Sequence, residues 1–205
     1  MIVIVDYGMG NLRSVENALH FLGIKAKVSD SPEIIKKAKK IIFPGVGHFG
    51  KTVEELKTRQ IFRILKEKIK KGVPYLGICI GMQILFENSE ESSGKEGLGI
   101  IKGTVKKLRA KNVAIPHMGW NQIKINKLGN EGDLLFRGIK DKSFFYFVHS
   151  YYCLPKERKI ITSFTDYGVE FASGIHKDNI WALQFHVEKS QSLGLEILDN
   201  FIKLC

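Results

Sequence analysis

The chain has 205 residues, of which 44% are hydrophobic and 26% charged, and this length and composition predict one globular domain over residues 1–205. Its formal net charge is +11, but no base-reading helix, RNP-type aromatic motif or zinc finger accompanies the lysines, which excludes the usual nucleic-acid-binding classes. The three cysteines, Cys79, Cys153 and Cys205, have no C-x-x-C or metal spacing and leave an odd thiol, which predicts a reducing cytoplasm without disulfides.

The first half of the chain alternates short apolar runs with amphipathic segments. The run at 1–5 is too short for a signal peptide or a membrane span and predicts a first strand. Further strands are predicted at 25–29, 40–43 and 73–78, and helices at 12–22, 32–38 and 52–70, the last with a break near Thr58. This alternation favours βαβ units and therefore an α/β fold, a mainly parallel sheet with helices on both faces.

The pattern changes after Phe86. Residues 87–99 are polar and contain glycine, which predicts a loop. Short runs then predict strands at 103–108, 121–125, 144–150, 159–164, 171–176 and 179–184, and residues 190–204 predict a closing amphipathic helix. The C-terminal half is therefore expected to add antiparallel strands to the α/β sheet.

The chemistry is predicted to centre on Cys79, within the G-x-C-x-G motif Gly77-Ile-Cys79-Ile-Gly81. The motif lies between a predicted strand and helical sequence at 82–86, as in the nucleophile elbow G-x-S-x-G, where glycines let strand and helix approach closely. A helix N-terminus at Cys79 would also favour the thiolate. We expect a reactive nucleophile; the alternative is a small buried cysteine that only packs a turn.

A cysteine nucleophile needs a base and a group that orients the base. His186 and Glu188 follow the predicted strand 179–184, and in an extended chain both point to the same side. Reactive groups gather beyond the carboxyl ends of parallel strands, where Cys79 is also expected. We therefore expect a Cys79–His186–Glu188 triad; the alternative is a structural histidine beside a surface glutamate.

Acyl transfer also requires donors for a developing oxyanion. A glycine-rich loop follows the predicted strand 40–43, and its backbone N–H groups could turn toward a substrate. The backbone donors expected are those of the loop residues Gly45, Val46 and Gly47, together with Ile80.

Other motifs receive simpler interpretations. Gly8-Met-Gly10 lacks the third glycine of a dinucleotide fingerprint and predicts a tight turn. The remaining histidines have no ligand spacing, so neither a metal nor another cofactor is expected. They include His48, His117, His149 and His176.

Two motifs resemble those of the class I, triad-type glutamine amidotransferases: Gly77-Ile-Cys-Ile-Gly-Met-Gln83 and Gln184-Phe-His-Val-Glu-Lys-Ser190. Three further stretches narrow the resemblance to the glutaminase subunits of imidazole glycerol phosphate synthase. These are Pro44-Gly-Val-Gly47, Pro116-His-Met-Gly-Trp-Asn121 and Phe145-Tyr-Phe-Val-His-Ser-Tyr151. The resemblance runs from the Asp6–Asn11 opening to the C-terminal helix.

The resemblance implies a cytoplasmic, heterodimeric enzyme of histidine biosynthesis. This subunit would hydrolyse L-glutamine to glutamate and ammonia. The ammonia would pass to a (β/α)8-barrel cyclase subunit, which makes imidazole glycerol phosphate and aminoimidazole carboxamide ribotide. The resemblance makes Cys79 the nucleophile of a glutamyl thioester, His186 the general acid/base and Glu188 its orienting partner. Matching glutamine contacts are Gln83, Glu91, Ser150 and Tyr151, and matching cyclase-facing positions are Asn11, Trp120, Asn121 and Lys189.

The resemblance also implies that the oxyanion donor at residues 45–47 is properly set only when the partner's site is occupied. One departure stands out, since Val187 occupies the place of the family's usual proline. Valine suits extended backbone, so we expect the triad geometry to survive. The alternatives are a paralogue that supplies ammonia for surface-sugar amination, a catalytically idle partner-binding subunit, and a cysteine peptidase on a similar elbow.

Overall fold

The computed structural model describes residues 1–111, 113–126 and 132–205, which are built around an eight-stranded sheet. The α-helices are α1 (Leu12–Phe21), α2 (Pro32–Lys36), α3 (Phe49–Thr58), α4 (Ile61–Lys70), α5 (Ile80–Gln83), α6 (Gly132–Leu135) and α7 (Gln191–Leu204). The strands are β1 (Ile2–Val5), β2 (Ala26–Ser29), β3 (Lys40–Phe43), β4 (Tyr75–Ile78), β5 (Asn88–Ser89), β6 (Gly103–Lys107), β7 (His117–Gln122), β8 (Lys124–Ile125), β9 (Phe144–His149), β10 (Tyr151–Pro155), β11 (Ile161–Asp166), β12 (Glu170–Lys177) and β13 (Ile180–Leu183). Single 3₁₀ turns lie at Arg158–Ile160 and Val187–Lys189.

The central sheet has the strand order β2-β1-β3-β4-β13-β12-β11-β8. The five strands from β2 to β13 pair in parallel, and β12, β11 and β8 extend the sheet with antiparallel pairs. The predicted α/β fold, with a mainly parallel sheet and antiparallel strands from the C-terminal half, is confirmed.

The core divides into two layers because successive strand residues face opposite sides of the sheet. Val3 and Ile41 lie in the layer that α2, α3 and α4 cover. Ile4 and Ile42 lie in the layer that α1 and α7 cover. Helices therefore cover both faces, as the alternation of strands and helices in the sequence predicted.

The pairing of β4 with β13 brings together two segments that are about a hundred residues apart in sequence. The strands are parallel, and Ile78 at the end of β4 pairs with Leu183 at the end of β13. The next residues of both strands therefore leave the sheet at the same edge. Cys79 and the segment that carries His186 are positioned by this register.

A separate two-stranded ribbon, formed by β7 and β9, lies against this edge. Trp120 pairs with Tyr146 in the ribbon, and His117 pairs with His149. The N–H of His186 donates to the carbonyl of Tyr146 over 2.8 Å, which attaches the ribbon to the segment after β13. A third sheet has the strand order β10-β6-β5. Its strand β10 follows β9 of the ribbon along the chain.

The helix predicted at 52–70 is two helices, and its predicted break is confirmed. The first, α3, begins earlier than predicted, at Phe49, because the His48 side chain caps it by accepting from the N–H of Lys51 over 3.5 Å. Between α3 and α4, Gln60 has a φ of 59°, a left-handed conformation that ends one helix and lets the next begin.

The structure differs from the predictions at three points in the second half and at the elbow. The strand predicted at 121–125 is wrong, because β7 covers 117–122 and a second short strand follows it. The strand β10 at 151–155 was not predicted as separate from β9. The helix predicted at 82–86 is the single turn 80–83.

Among the residues that the structure describes, no helix is both long enough and apolar enough to cross a membrane.

Candidate active site

Cys79 occupies a sharp turn between β4 and α5. Its φ is 53° and its ψ is −104°, a strained conformation for a residue with a Cβ, and it is typical of a nucleophile elbow. The side chain is 5% exposed. Because α5 is only one turn long, its dipole supplies less of the expected preference for thiolate than a full helix would.

The two elbow glycines are required by close backbone approaches. A Cβ on Gly77 would lie 2.5 Å from the carbonyl oxygen of Gly81. A Cβ on Gly81 would overlap the carbonyl oxygen of Phe43 in the neighbouring strand. Any larger residue at either position would therefore displace the turn that presents Cys79.

His186 and Glu188 form a buried pair at the same edge. Nδ1 of His186 lies 2.7 Å from Oε1 of Glu188, and the two side chains are 1% and 2% exposed. Ser190 fixes the backbone here, since its hydroxyl donates to the carbonyl of His186 over 2.6 Å and accepts from the N–H of Tyr146 over 3.1 Å. The carboxylate therefore holds Nδ1–H, which leaves Nε2 as the nitrogen free for proton transfer.

The electrostatics of His186 connect it to Cys79. Burial disfavours the imidazolium, but the negative charge of Cys79 and a hydrogen bond to it, with Glu188 on the other side, outweigh burial and raise the pKa of His186 to about 10. Within the described chain, Nε2 of His186 is buried without a hydrogen bond of ordinary geometry. Cys79 and His186 therefore interact electrostatically, but the hydrogen bond between them is not well aligned.

A buried amide chain, missed from sequence, supports the sulfur of Cys79. Nε2 of Gln184 donates to Sγ over 3.5 Å, and Nε2 of Gln83 lies 3.3 Å from Oε1 of Gln184 and 3.0 Å from the carbonyl oxygen of Tyr151. The available signal was periodicity: Gln184, His186 and Glu188 alternate along the chain. Gln83 therefore supports the nucleophile through Gln184 and also lines the cavity described below.

A cavity of about 190 Å³ opens in front of Cys79, and all four predicted glutamine contacts line it. Glu91 is held by the N–H of Phe49, which donates to its Oε2 over 2.6 Å. Two larger clefts, of about 430 and 520 Å³, have no cysteine or histidine among their lining residues. The lining residues that matter for chemistry are Val46, Gly47, Cys79, Gln83, Glu91, His149, Ser150 and Tyr151.

The predicted oxyanion donors do not form an open hole in this structure. The N–H of Ile80 donates to the carbonyl oxygen of Gly45 over 3.3 Å. Because a trans peptide directs its N–H opposite to its C=O, the N–H of Val46 points away from Ile80. Of the four expected donors, the N–H of Ile80 is therefore engaged and the N–H of Val46 faces away from it.

Two buried histidines form an oriented pair, of which His149 lines the cavity and His117 does not. Nδ1 of His149 donates to the carbonyl of Tyr151 over 2.9 Å, so its Nε2 must accept from Nδ1 of His117, also 2.9 Å away. Burial lowers the pKa of His117 to about 4. Burial, and then the charges of His117 and His186, lower the pKa of His149 to about 3. Both rings are therefore neutral at physiological pH.

Three of the four predicted partner-facing residues are exposed. Trp120 is 46% exposed and packs edge-on against Tyr146 at 6.1 Å, and Nζ of Lys189 lies 5.4 Å from the centre of the Tyr146 ring. Asn11 is exposed at the start of α1. Asn121 differs, since its side chain turns inward and donates to the carbonyl of Asp166 over 2.9 Å.

The described residues contain no group of three or more His, Cys, Asp or Glu side chains placed to hold a metal ion. The arrangement instead offers a sulfur nucleophile, a histidine oriented by a carboxylate, and a polar cavity. Such a site can perform acyl transfer through a covalent thioester.

Comparison with known proteins connects this site to one family. Glutamine amidotransferase class-I matches residues 3–204 of the chain. The imidazole glycerol phosphate synthase subunit HisH of Pyrococcus furiosus is 51% identical over 204 residues, covering 99% of this chain and 98% of that protein. The same subunit of Methanocaldococcus jannaschii is 49% identical over 207 residues and covers both chains fully. That of Moorella thermoacetica is 46% identical over 203 residues, covering 99% and 94%.

Solved structures show the same fold at low sequence identity. A crystal structure of a glutamine amidotransferase superposes with a TM-score of 0.72 at 18% identity, covering 100% of this chain and 98% of that one. The structure of PurLQS from Thermotoga maritima superposes with a TM-score of 0.71 at 15% identity, covering 98% and 96%.

Proposed function

The chain belongs to the class-I glutamine amidotransferases, and from this we propose that Cys79, His186 and Glu188 hydrolyse the side-chain amide of glutamine, within a single domain of residues 1–205. Its identity to the HisH subunits over nearly the whole length makes it a glutaminase subunit of imidazole glycerol phosphate synthase, in histidine biosynthesis. The paralogue for sugar amination and the idle subunit are not favoured. The observation that carries the site assignment is that Glu188 holds the buried His186, whose positive charge Cys79 stabilises, while Cys79 lines one cavity together with all four expected glutamine contacts.

The first half-reaction forms a thioester. The thiolate of Cys79 attacks the side-chain amide carbon of glutamine, and the carbonyl oxygen becomes an oxyanion. The imidazolium of His186 protonates the amide nitrogen as the carbon–nitrogen bond breaks, and ammonia leaves. Glu188 holds the ring through Nδ1 and stabilises its positive charge during this step.

The second half-reaction restores the enzyme. Neutral His186 takes a proton from water, and the hydroxide attacks the thioester carbon. The carbon–sulfur bond then breaks, releasing glutamate and the Cys79 thiolate beside protonated His186. Gln83, Glu91, Ser150 and Tyr151 bind glutamine in this scheme, because they line the cavity that contains Cys79.

The partner is proposed to be the cyclase subunit, a (β/α)8 barrel, in a cytoplasmic heterodimer. The ribbon β7–β9 supports this, since it presents an exposed apolar surface at the edge that holds Cys79. Met118 and Trp120 on β7 are 61% and 46% exposed, and Phe144 on β9 is 50% exposed. Apolar and aromatic groups of this kind are typical of interface centres. Docking there would place the ammonia produced at Cys79 close to the partner.

The nucleophile assignment is tested in the complex. Cys79→Ser should abolish ribotide cyclisation with glutamine but leave cyclisation with free ammonium unchanged, since ammonium needs no thioester. A glutamine analogue with an electrophilic side chain should add mass to Cys79 alone, and Cys153→Ser, a buried cysteine outside the cavity, serves as the control. Persistent glutamine-dependent synthesis by Cys79→Ser would refute the assignment.

The pathway assignment is tested separately. Glutamine hydrolysis should rise when the cyclase subunit and the ribotide are added together. No increase with both, at concentrations where the two subunits copurify, would contradict the proposed partnership.

A further inference from the structure

Tyr7, at the end of β1, is buried next to the segment that is expected to supply an oxyanion donor. Its ring stacks on Phe43 with centroids 4.9 Å apart and an interplanar angle of 17°, so the ring is held in place. The residue is completely buried. Its hydroxyl has no hydrogen-bond partner in the described chain. A buried unpaired hydroxyl is unfavourable, and its presence asks for an explanation.

The hydroxyl lies directly against Gly45. A Cβ on Gly45 would overlap Oη of Tyr7. A Cβ on Gly10 would lie 2.8 Å from the Cα of Gly45 and 3.3 Å from Oη. Glycine at both positions therefore leaves room for the hydroxyl beside the Gly45 backbone.

The Gly45–Val46 peptide is the one that closes the oxyanion hole. Its carbonyl receives the N–H of Ile80, and its N–H points away from that donor. A half-turn of this peptide exchanges the two directions. The N–H of Val46 then joins that of Ile80 toward a substrate oxyanion, and the carbonyl of Gly45 turns to the other side. Gly45 permits the rotation because glycine has few forbidden ψ values.

We propose that Tyr7 is a positioning residue, whose hydroxyl donates to the carbonyl of Gly45 once the Gly45–Val46 peptide has turned to open the oxyanion hole. The inference rests on the proposed glutaminase function and adds a side chain to it. The closed state leaves the hydroxyl unpaired and the open state pairs it, so the same group favours the open state.

The charge environment keeps this hydroxyl a donor. Burial, followed by the negative charges of Cys79 and Asp6, raises the pKa of Tyr7 well above its usual value. Tyr7 is therefore protonated throughout the working pH range.

The test is Tyr7→Phe, assayed in the complex with the cyclase subunit. We expect kcat for glutamine to fall about tenfold, with KM changed less than twofold and ammonium-dependent cyclisation unchanged. An aldehyde analogue of glutamine, whose carbonyl accepts the Cys79 sulfur and becomes an oxyanion, should bind about tenfold more weakly. The thermal unfolding midpoint of the isolated chain should stay equal or rise, because the variant removes an unpaired buried hydroxyl.

Tyr75→Phe is the matched control for stability. Tyr75 is equally buried, but its hydroxyl donates to the carbonyl of Gly81 over 2.8 Å, so its removal should lower the unfolding midpoint. Wild-type turnover or wild-type aldehyde binding by Tyr7→Phe would overturn the inference, as would a lowered unfolding midpoint like that of Tyr75→Phe. A wild-type complex without glutaminase activity would instead overturn the proposed function, so the two failures are distinct.

Discussion

Glu188 holds His186 through a 2.7 Å contact between Oε1 and Nδ1, although neither side chain is more than 2% exposed. The contact is therefore shielded from solvent on both sides. We predict that Glu188→Gln lowers kcat for glutamine by about 10²-fold or more, because the amide cannot stabilise the imidazolium. Steady-state kinetics in the complex measure this, with the exposed Glu16→Gln as control. An unchanged kcat in Glu188→Gln would show that Glu188 does not act as the third member of the triad.

Gln184 supplies a side-chain amide donor to the nucleophile. Gln184→Met keeps the approximate volume but removes the 3.5 Å donor to the sulfur of Cys79. A hydrogen bond to a charged group contributes roughly 1.5–3 kcal/mol, so kcat/KM should fall about tenfold or more. The rate at which iodoacetamide alkylates Cys79, followed by mass spectrometry, measures the reactivity of the sulfur independently of glutamine binding. Wild-type values in both assays would mean that the contact has no role in reactivity.

His149 makes stability dependent on pH. Its folded-state pKa is lowered to about 3, whereas an unfolded histidine titrates near 6.5. Below pH 6.5 the unfolded chain binds a proton that the folded chain refuses, so stability present at pH 7 is lost as the pH falls. For this one group the loss between pH 7 and pH 5 is about 2 kcal/mol.

The measurement is urea unfolding of wild type and His149→Gln at pH 7, 6 and 5. The variant has one fewer buried titrating group, so its stability should decline less steeply with falling pH. Parallel curves for the two proteins would show that His149 does not carry the dependence.

Val187, in the place of the usual proline, leaves the preceding residue in a proline-compatible conformation. His186 has φ −95° and ψ 100°, an extended backbone that avoids the α region disfavoured for a residue before proline. Val187→Pro should therefore leave turnover close to wild type and change stability by a gain of about 0.4–1 kcal/mol. Kinetics and thermal unfolding test this together. A many-fold faster variant would show that backbone freedom at 187 limits the wild-type enzyme.

Trp120 is expected to be the main anchor of the partner interface. Trp120→Ala should weaken binding of the cyclase subunit by about 2 kcal/mol, or roughly 30-fold, as for a central aromatic anchor. Phe21→Ala offers a matched control, since Phe21 is 77% exposed but lies at the far end of α1. Isothermal titration calorimetry measures the affinity of each variant for the cyclase subunit. If the two substitutions weaken binding equally, or if Trp120→Ala does not weaken it, the interface does not include Trp120 as an anchor.

The sequence predicts a Cys79–His186–Glu188 triad because each of the two segments that carry these residues has a recognisable local pattern. The glycines around Cys79 mark a strained turn, and the two-residue spacing of His186 and Glu188 places both on one side. The sequence also predicted that parallel strands would bring these parts to one edge, and β4 and β13 do so. The same two-residue periodicity also includes Gln184, but the motif alone does not indicate its contact with the sulfur of Cys79.

Other features depend on pairing or on backbone direction and leave no local signature. The contact between His117 and His149 follows from the antiparallel register of β7 and β9, and β7 was placed too late in the sequence. Gly119 lies inside β7 with a φ of 130°, a conformation that favours glycine. That the carbonyl of Gly45 faces Ile80 is a matter of one peptide's rotation, which residue types alone do not determine.

The insertion of β13 between β4 and β12 has a consequence for biosynthesis of the protein on the ribosome. Residues 180–183 follow every other strand of the central sheet along the chain, yet they join the two halves of the sheet and precede the segment that carries His186, the proposed base. A nascent or truncated chain that stops before them exposes the apolar edge of β4 and has a nucleophile without a base. Assembly of the proposed active site is therefore coupled to completion of the sheet, and a chain without β13 should be prone to aggregation and unable to hydrolyse glutamine.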